Sequence, residues 1–479
     1  YMVVAASLMI LMGKFSDRIG ARRAMLAGTL LFAVGSLVTG LATSLGVLLA
    51  GRAIQGFVLA LCIPASLSLL NHLFPSGRTR VLAFSVWTAA LGSAFALGPV
   101  IGGYIATYLS WRWSFFINIP LMLIAAAGIV TCVPHVAGRL QEKGGDILGS
   151  ILMVFALAFF VLGIQEGTGW GWLTPSGQSV FGITWTLGLS AAFLAIVLGV
   201  VLLVVLVIYE IRRYRSNRPM VLEPALLDVP SFTWGTAAAA LMTAGIFGLL
   251  LMVPLYAQYV LDYDPLSSGL TLLSMGVGMA LGGPIVSRLS IAMDRRTIVI
   301  ALIVQPLATL SIIPLLSATG NGWILAPSLL VEGFAWGAAY SILVSTLMKD
   351  VPEKLSGTAG GTQTAVRLLA GAIGTAVMTS VLLLTISAKV SDVDENGLTA
   401  AEQQQFEQLY SLSGQAHSEV ADPNGETVQQ FRQIQEFDAA ISAVSEDMVG
   451  GFQITIALAA LISATAVPCA LRLPKTRKS

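Results

Sequence analysis

The feature that most constrains this sequence is a series of long apolar runs separated by short polar connections. A hydrocarbon layer about 30 Å thick is crossed by roughly 20 helical residues, each of which rises about 1.5 Å. Thirteen candidate runs cover approximately residues 1–12, 24–43, 47–70, 80–108, 113–133, 146–166, 182–209, 232–260, 266–287, 297–317, 323–348, 362–387 and 450–471. The sequence therefore predicts an all-α integral membrane protein with thirteen spans.

Composition excludes a water-soluble fold. Hydrophobic residues make up 56% of the chain and charged residues only 11%, against about 45–50% and about 25% in soluble domains. With a net charge of +1 and no concentrated basic surface, we expect no nucleic-acid partner. The three cysteines lie in apolar runs without metal-ligand or disulfide spacing, and we expect them to be buried hydrophobic residues.

The distribution of Lys and Arg predicts the orientation, because cytoplasmic connections carry an excess of both. Alternate connections are basic, namely 14–23, 78–80, 139–143, 212–218, 288–296, 349–354 and the tail 472–478. The connections between them carry almost none, apart from Arg112. This pattern predicts a cytoplasmic carboxyl terminus and an external Tyr1. One further span upstream would give fourteen, so we expect that the chain lacks its first span.

Residues 388–448 differ from the rest because they hold twelve acidic residues against Lys389 and Arg432. Apolar residues from Val428 to Val444 recur at three- and four-residue spacing, which indicates one face of a helix. The pattern predicts an extracellular acidic helical hairpin, and the alternative is a solvated linker.

The first basic connection, residues 13–23, reads Gly-Lys-Phe-Ser-Asp-Arg-Ile-Gly-Ala-Arg-Arg. Its glycines permit a tight joint between two antiparallel helices. It resembles the signature of the major facilitator superfamily, Gly-x-Leu-x-Asp-Arg-x-Gly-Arg-Lys, with Phe15 for Leu and Ala21 for the first basic residue. The resemblance implies that five residues help to latch two halves of the molecule in one state of alternating access: Gly13, Asp17, Arg18, Gly20 and Arg22. The alternative is a basic loop that only obeys the orientation rule.

Arg52 lies inside an apolar run, where a charged residue costs a few kcal/mol or more and should face protein or water. Residues 49–56 resemble the second motif of proton-coupled exporters of that superfamily, which implies that Arg52 assists proton transfer. Its expected acidic partner would lie on the first span. The alternative is that Arg52 extends to the outer interface.

Residues 90–103 predict a helix with one face almost free of large side chains. Gly92, Ala96, Pro99 and Gly103 follow at steps of four, three and four, and we expect Gly98 and Gly102 to widen that face. The segment resembles the motif that marks antiporters of the superfamily, although Ala94 replaces its leading Gly. Ordinary close packing of helices is the alternative.

The segment Trp111 to Pro120 is similar to the sequence after the fifth span in fourteen-span drug:proton antiporters, and the extra pair of spans fits that branch. The implied fold has two pseudo-symmetric six-helix bundles plus two accessory spans. The predicted division is 1–135 for the first bundle, 136–220 for the accessory insertion, 221–387 for five spans of the second bundle, 388–448 for the hairpin, and 449–479 for the last span and tail.

Glu332 lies near the middle of its run, where an ionisable group is a functional candidate by default. A carboxyl group buried at that depth could bind a proton near neutral pH, and we expect Glu332 to act with Arg52 in proton coupling. A structural carboxylate bonded to a neighbouring helix is the alternative. Further polar residues are candidates for the cavity or gate: Gln55, Asn118, Gln363 and Arg367.

The expected function is proton-coupled export of small hydrophobic or cationic compounds across the cell membrane. We expect the protein to be a monomer and not to be an enzyme. The expected energy source is the proton gradient, with no cofactor, since no nucleotide-binding Gly-x-x-x-x-Gly-Lys-Ser/Thr is present. A dedicated exporter of a lipid, peptide or natural product is the alternative, and a non-transporting membrane sensor or scaffold is a more remote one.

Overall fold

The computed structural model describes residues 2–74, 78–134, 146–175, 185–216, 224–289, 295–318, 320–352, 355–394 and 435–474. Within these ranges the regular structure is helical. The α-helices are α1 Met2–Ile19, α2 Ala21–Gly40, α3 Leu45–Leu73, α4 Arg78–Tyr108, α5 Trp113–Phe116, α6 Asn118–Cys132, α7 Ile147–Trp170, α8 Ala191–Arg215, α9 Pro224–Leu227, α10 Pro230–Tyr259, α11 Pro265–Thr271, α12 Leu273–Leu289, α13 Arg295–Ile312, α14 Ala326–Leu347, α15 Ser356–Asp394, α16 Gln435–Ala464 and α17 Ala466–Leu471.

Twelve helical segments of the described chain are long and apolar enough to cross a membrane. They correspond to twelve of the thirteen predicted runs, and the remaining run, 1–12, forms most of α1. The predicted boundary at Gly13 is wrong, because α1 continues to Ile19 through the charged residues of the first basic connection. The chain turns instead at Gly20, whose φ of 92° favours a residue without a side chain.

Other boundaries also move. The run 266–287 is divided into α11 and α12, the run 182–209 becomes helical only at Ala191, and the run 362–387 is extended at both ends as α15. Of the predicted acidic hairpin, residues 395–434 lie outside the described residues, while α15 reaches Asp394 and α16 begins at Gln435. The hairpin and the domain division stay predictions.

Two groups of helices meet along the length of the molecule. The N-terminal group (α1–α6) contacts the C-terminal group (α10–α17) where α1 and α3 pack on α15, and where α4 packs on α11, α12 and α14. The accessory pair, α7 and α8, packs against itself and against α1 and α15. Many large apolar side chains stay exposed on the outside, including Val201, Val204 and Ile208 of α8, as expected for helices that face lipid.

The accessory pair is closed at one end by a buried polar group around Asp146. The Oδ1 atom of Asp146 accepts hydrogen bonds from the Gly149 N–H and the Tyr209 hydroxyl, both at 2.9 Å. Its Oδ2 lies 3.3 Å from Nε of Arg213. The same carboxylate therefore caps α7 and ties it to α8.

Glycines set the distance between α12 and α14. A Cβ atom added at Gly278 or Gly282 would collide with the backbone of α14, and one added at Gly333 or Gly337 would collide with the backbone of α12. Lipid is as apolar as a leucine side chain, so helices in a membrane associate through close packing rather than through the hydrophobic effect. These glycines allow that packing.

We predict that Gly337→Ala destabilises the protein, because the new methyl group would meet the Met279 carbonyl group. Overpacking of this kind costs about 1–3 kcal/mol, and thermal unfolding in detergent should show a lower midpoint. Gly128→Ala is the matched control, since a Cβ atom there meets nothing within 4 Å. Equal midpoints for the two variants would contradict the assigned packing.

Candidate functional site

Asp17 joins the two groups of helices at one end of the molecule. Its Oδ1 accepts a hydrogen bond from the Gly357 N–H and its Oδ2 accepts one from the Thr358 N–H, both at 3.0 Å. The Ser68 hydroxyl donates to Oδ1 at 3.3 Å. The first N–H groups of a helix have no partner within it and form its positive end. A carboxylate of the N-terminal group therefore caps α15 of the C-terminal group.

Two further contacts reinforce this junction. A Cβ atom at Gly13 would meet the Gly357 carbonyl, so α1 and α15 approach here with only backbone between them. Nearby, the Asn71 amide donates to the Ser356 hydroxyl at 2.7 Å. We call the contact of Gly13, Asp17 and Asn71 with residues 356–358 the basic-end junction, because it lies beside the basic residues of the first connection.

Arg22 and Gly20 of the predicted latch act within the N-terminal group. The Arg22 guanidinium donates to the Val130 carbonyl at 2.7 Å, and Val130 also belongs to the N-terminal group. Arg18 is exposed at the end of α1, and Gly20 forms the turn into α2. Sequence reasoning missed Gly357 and Thr358, for which the only signal was a Ser-Gly-Thr at a helix start.

The predicted bare face of α4 is the face that contacts the C-terminal group. Gly92 packs on Met279 and Ala280, Ala96 on Gly276, Pro99 on Gly269, and Gly103 on Pro265. A Cβ atom at Gly98 or Gly102 meets nothing within 4 Å, so neither glycine makes a close contact with a neighbouring helix. At about 100° per residue, both positions lie to one side of the line of close contacts, and Gly102 lines the cavity described next.

A cavity of about 270 Å³ lies at this interface, at the end remote from the basic-end junction. It is partly open and is lined by residues of both groups, namely Pro99, Gly102, Gly103, Pro254, Gln258, Pro265, Ser268, Gly269 and Leu272. Its polar side chains are already paired, because the Gln258 amide donates to the Ser268 hydroxyl at 3.2 Å.

Arg52 and Gln55 lie within the N-terminal group. Nη1 of Arg52 donates to the Gln55 amide oxygen at 3.0 Å, and the Gln55 amide donates to the Ser36 hydroxyl at 2.9 Å. The guanidinium also lies 5.6 Å from the ring centre of Phe115. Asn118 bonds locally to the Ser114 carbonyl at 3.2 Å and is partly exposed. These contacts place Arg52, Gln55 and Asn118 near the connections between α2 and α3 and between α4 and α6.

Glu332 is fully buried inside the C-terminal group. Its Oε1 accepts from the Gln305 amide at 3.1 Å, and its Oε2 accepts from the Thr309 hydroxyl at 2.8 Å. Both donors belong to α13, whereas Glu332 belongs to α14. This arrangement is the one expected of the alternative, a structural carboxylate bonded to a neighbouring helix. Glu332 and Arg52, together with their partners, lie in different groups of helices.

Arg367 of α15 lies beside an aromatic residue of α14, and Gln363 is one turn before it on the same helix. The Arg367 guanidinium is 4.9 Å from the ring centre of Tyr340, and the Tyr340 and Trp336 rings are stacked with their centres 4.7 Å apart. From the N-terminal group, Trp87 of α4 comes within 6.3 Å of Tyr340. We call Trp336, Tyr340, Gln363 and Arg367 the donor cluster. It is buried where the two groups meet.

A sequence comparison with known families agrees with the first-connection motif. The model of the Major Facilitator Superfamily matches residues 1–227 and again residues 155–375. The chain is 30% identical over 398 residues to the tetracenomycin C resistance and export protein of Streptomyces glaucescens, covering 82% of this chain and 69% of that protein. It is 26% identical over 375 residues to the multidrug export protein EmrB of Escherichia coli, covering 77% and 69%.

A solved structure shows the same fold. The human organic anion transporter MFSD10 (TETRAN) superposes with a TM-score of 0.59, covering 98% of this chain and 81% of that chain at 15% sequence identity.

We predict that Asp17→Ala loosens the basic-end junction, because it leaves two buried N–H groups of α15 without acceptors. Each buried unpaired group costs about 1–3 kcal/mol. Ala359, next to these groups, is fully buried. In a background without Cys62, Cys132 and Cys469, the thiol of Ala359→Cys should react several-fold faster with a permeant maleimide when Asp17 is replaced.

The matched control is Asp264→Ala, which removes a carboxylate that caps α11 within the C-terminal group. That change should leave the labelling rate at position 359 unaltered. Equal labelling with and without Asp17 would show that the carboxylate does not hold the junction closed.

Proposed function

The chain belongs to the Major Facilitator Superfamily and is a multi-span membrane transporter rather than an enzyme, and we propose that it exports small, largely hydrophobic organic compounds from the cytoplasm in exchange for protons. Its similarity to resistance and export proteins over about four fifths of the chain supports export as the direction. The charge pattern supports a cytoplasmic location for the basic-end junction and for the carboxyl terminus, with the cell membrane as the site of action.

The observation that carries this proposal is the basic-end junction. Asp17, Gly13 and Asn71 make contacts across the two groups of helices that are confined to one end. Alternating access requires that such contacts break when the cytoplasmic end opens and form again when it closes. We therefore assign the conformation described here to the state that is closed toward the cytoplasm, with Asp17 as the latch.

The α4 interface supplies the second part of the mechanism. Backbone lies against backbone where Gly92, Ala96, Pro99 and Gly103 meet α11 and α12. Such a surface has few long side chains that must rearrange when one group rocks against the other. We propose that this surface bears the movement while the junction at Asp17 opens and closes.

Proton coupling belongs to the proposal, with Glu332 as the proton-binding group. Its carboxylate is fully buried within the span Gly322–Leu347, and each oxygen already accepts a hydrogen bond. Protonation of either oxygen would disturb one of these bonds and so alter the packing of α13 on α14. Arg52 is proposed to tune proton entry from the external side through Gln55.

A second candidate function is export of one particular natural product. Two similar proteins are described as a probable actinorhodin transporter of Streptomyces coelicolor, 26% identical, and the puromycin resistance protein pur8 of Streptomyces alboniger, 27% identical. Names of this kind are as consistent with one dedicated substrate as with a broad range of substrates. The breadth of the substrate range would separate the two candidates.

Export can be tested in everted membrane vesicles that contain the protein. We predict that acidifying the vesicle interior drives accumulation of several unrelated fluorescent aromatic compounds, and that a protonophore abolishes it. Accumulation of a single compound class would favour the dedicated exporter. Accumulation that survives the protonophore would contradict proton exchange, and no accumulation of any compound would contradict export.

We predict that Glu332→Gln leaves the protein in the membrane but lowers proton-driven exchange. Coupling between two ligands is typically about 1–3 kcal/mol, or about 5–150-fold. The initial rate of exchange should decrease by a factor within that range. Glu166→Gln is the matched control, since Glu166 is a partly exposed carboxylate near the C-terminal end of α7. Unchanged exchange in Glu332→Gln would remove this residue from the mechanism and leave it a structural role.

A further inference from the structure

Four hydrogen-bond donors of the donor cluster have no hydrogen-bond partner among the described residues. They are Nε1 of Trp336, the hydroxyl of Tyr340, Nε2 of Gln363 and Nε of Arg367. The four side chains are between 0% and 5% exposed. A buried donor without an acceptor costs about 1–3 kcal/mol, so four in one place require an explanation.

The four residues are close neighbours in space. Trp336 and Tyr340 are one turn apart on α14 and their rings stack. Gln363 and Arg367 are one turn apart on α15, which places them on one face of that helix. The Arg367 guanidinium lies over the Tyr340 ring and connects the two pairs. The unpartnered atoms are all donors, and three of them cannot act as acceptors.

The charge of Arg367 is also uncompensated. Its one recorded contact within the described chain is with the Tyr340 ring, and a cation–π contact contributes about 2 kcal/mol when it is desolvated. A buried charge generally requires a partner of opposite sign. The partly buried Asp17 and the buried Glu332 are bonded to other partners. By contrast, the buried carboxylate of Asp146 is paired with Arg213.

The cluster lies at a depth suited to a transported molecule. Arg367 is eleven residues after Ser356, the first residue of α15, which corresponds to roughly 17 Å along a helix. This is about half of a hydrocarbon layer about 30 Å thick. Trp87 contributes from α4, so both groups of helices border the position.

We propose that the donor cluster binds an acidic group, a carboxylate or phenolate, of an aromatic compound that the protein exports. Arg367 supplies the charge, Gln363 and Tyr340 supply neutral donors, and the rings of Trp336 and Trp87 accommodate the flat apolar body. The assignment rests on the proposed export function and narrows it to acidic aromatic compounds. It replaces the preference for cations expected from the sequence.

Binding can be measured without transport on the purified full chain in lipid nanodiscs. The probes are 2-naphthoate, its neutral methyl ester and 2-naphthylmethylammonium, each followed by equilibrium dialysis. We expect 2-naphthoate to bind at least about tenfold more tightly than the other two, which corresponds to about 1.4 kcal/mol. Equal binding of acid and ester, or tighter binding of the cation, would overturn the proposal, and this comparison requires no variant.

Variants then locate the site. Arg367→Gln should reduce the affinity for 2-naphthoate to that for the ester, whereas Arg367→Lys should keep a preference for the acid. The matched control is Arg472→Gln, because Arg472 also lies over an aromatic ring, 4.4 Å from the centre of Trp234, but is exposed. Undiminished binding of the acid to Arg367→Gln, or an equal loss in Arg472→Gln, would overturn the assignment.

Transport in the vesicle assay separates this inference from the proposed function. Export of the ester or of cations without tight binding of 2-naphthoate would leave export intact and refute the acidic-group site. Tight, Arg367-dependent binding of 2-naphthoate with no movement under any gradient would refute export and keep the binding site.

Discussion

The structure depends on how closely two helix backbones can approach when no hydrophobic effect draws them together. In lipid, the stabilisation comes from contact, and contact is closest where side chains are smallest. The α4 contact with α11 and α12 and the α12 contact with α14 both follow this rule, with glycine or alanine at each close approach. Because α12 has small residues on both faces, it links α4 to the interior of the C-terminal group.

Much of this arrangement could be predicted from the sequence because it depends on local periodicity. The length of the apolar runs predicted the helices, and the steps from Gly92 to Gly103 predicted the contacting face of α4. Periodicity could not reveal which neighbour a glycine meets, and Gly98 and Gly102 make no close contact although they were expected to widen that face. It also placed the end of α1 at Gly13, because four polar or charged residues follow within the same helix. The partners of Asp17 could not be predicted, since they lie about 340 positions away.

Two ionisable residues show why depth alone does not identify a functional group. Glu332 has a hydrogen-bond donor for each oxygen, both supplied by α13. Arg367, which the sequence indicated only as a cavity or gate candidate, is buried, and its guanidinium lies over the aromatic ring of Tyr340. The difference lies in the partners and not in the residue or its depth. The sequence pattern indicates the residue type and its depth in a span, but it does not indicate the partners of the side chain.

The cap that Asp17 provides has a consequence for α15 itself. Helices usually carry their own capping residue next to their first turn, but the first turn of α15 is capped from the other half of the molecule. In the proposed transport cycle, this turn loses its acceptor when the halves part, and it must then be hydrated or unwind. A rigid-body motion is thereby tied to local melting of a helix end, and the balance between the two conformations becomes sensitive to the activity of water at that surface.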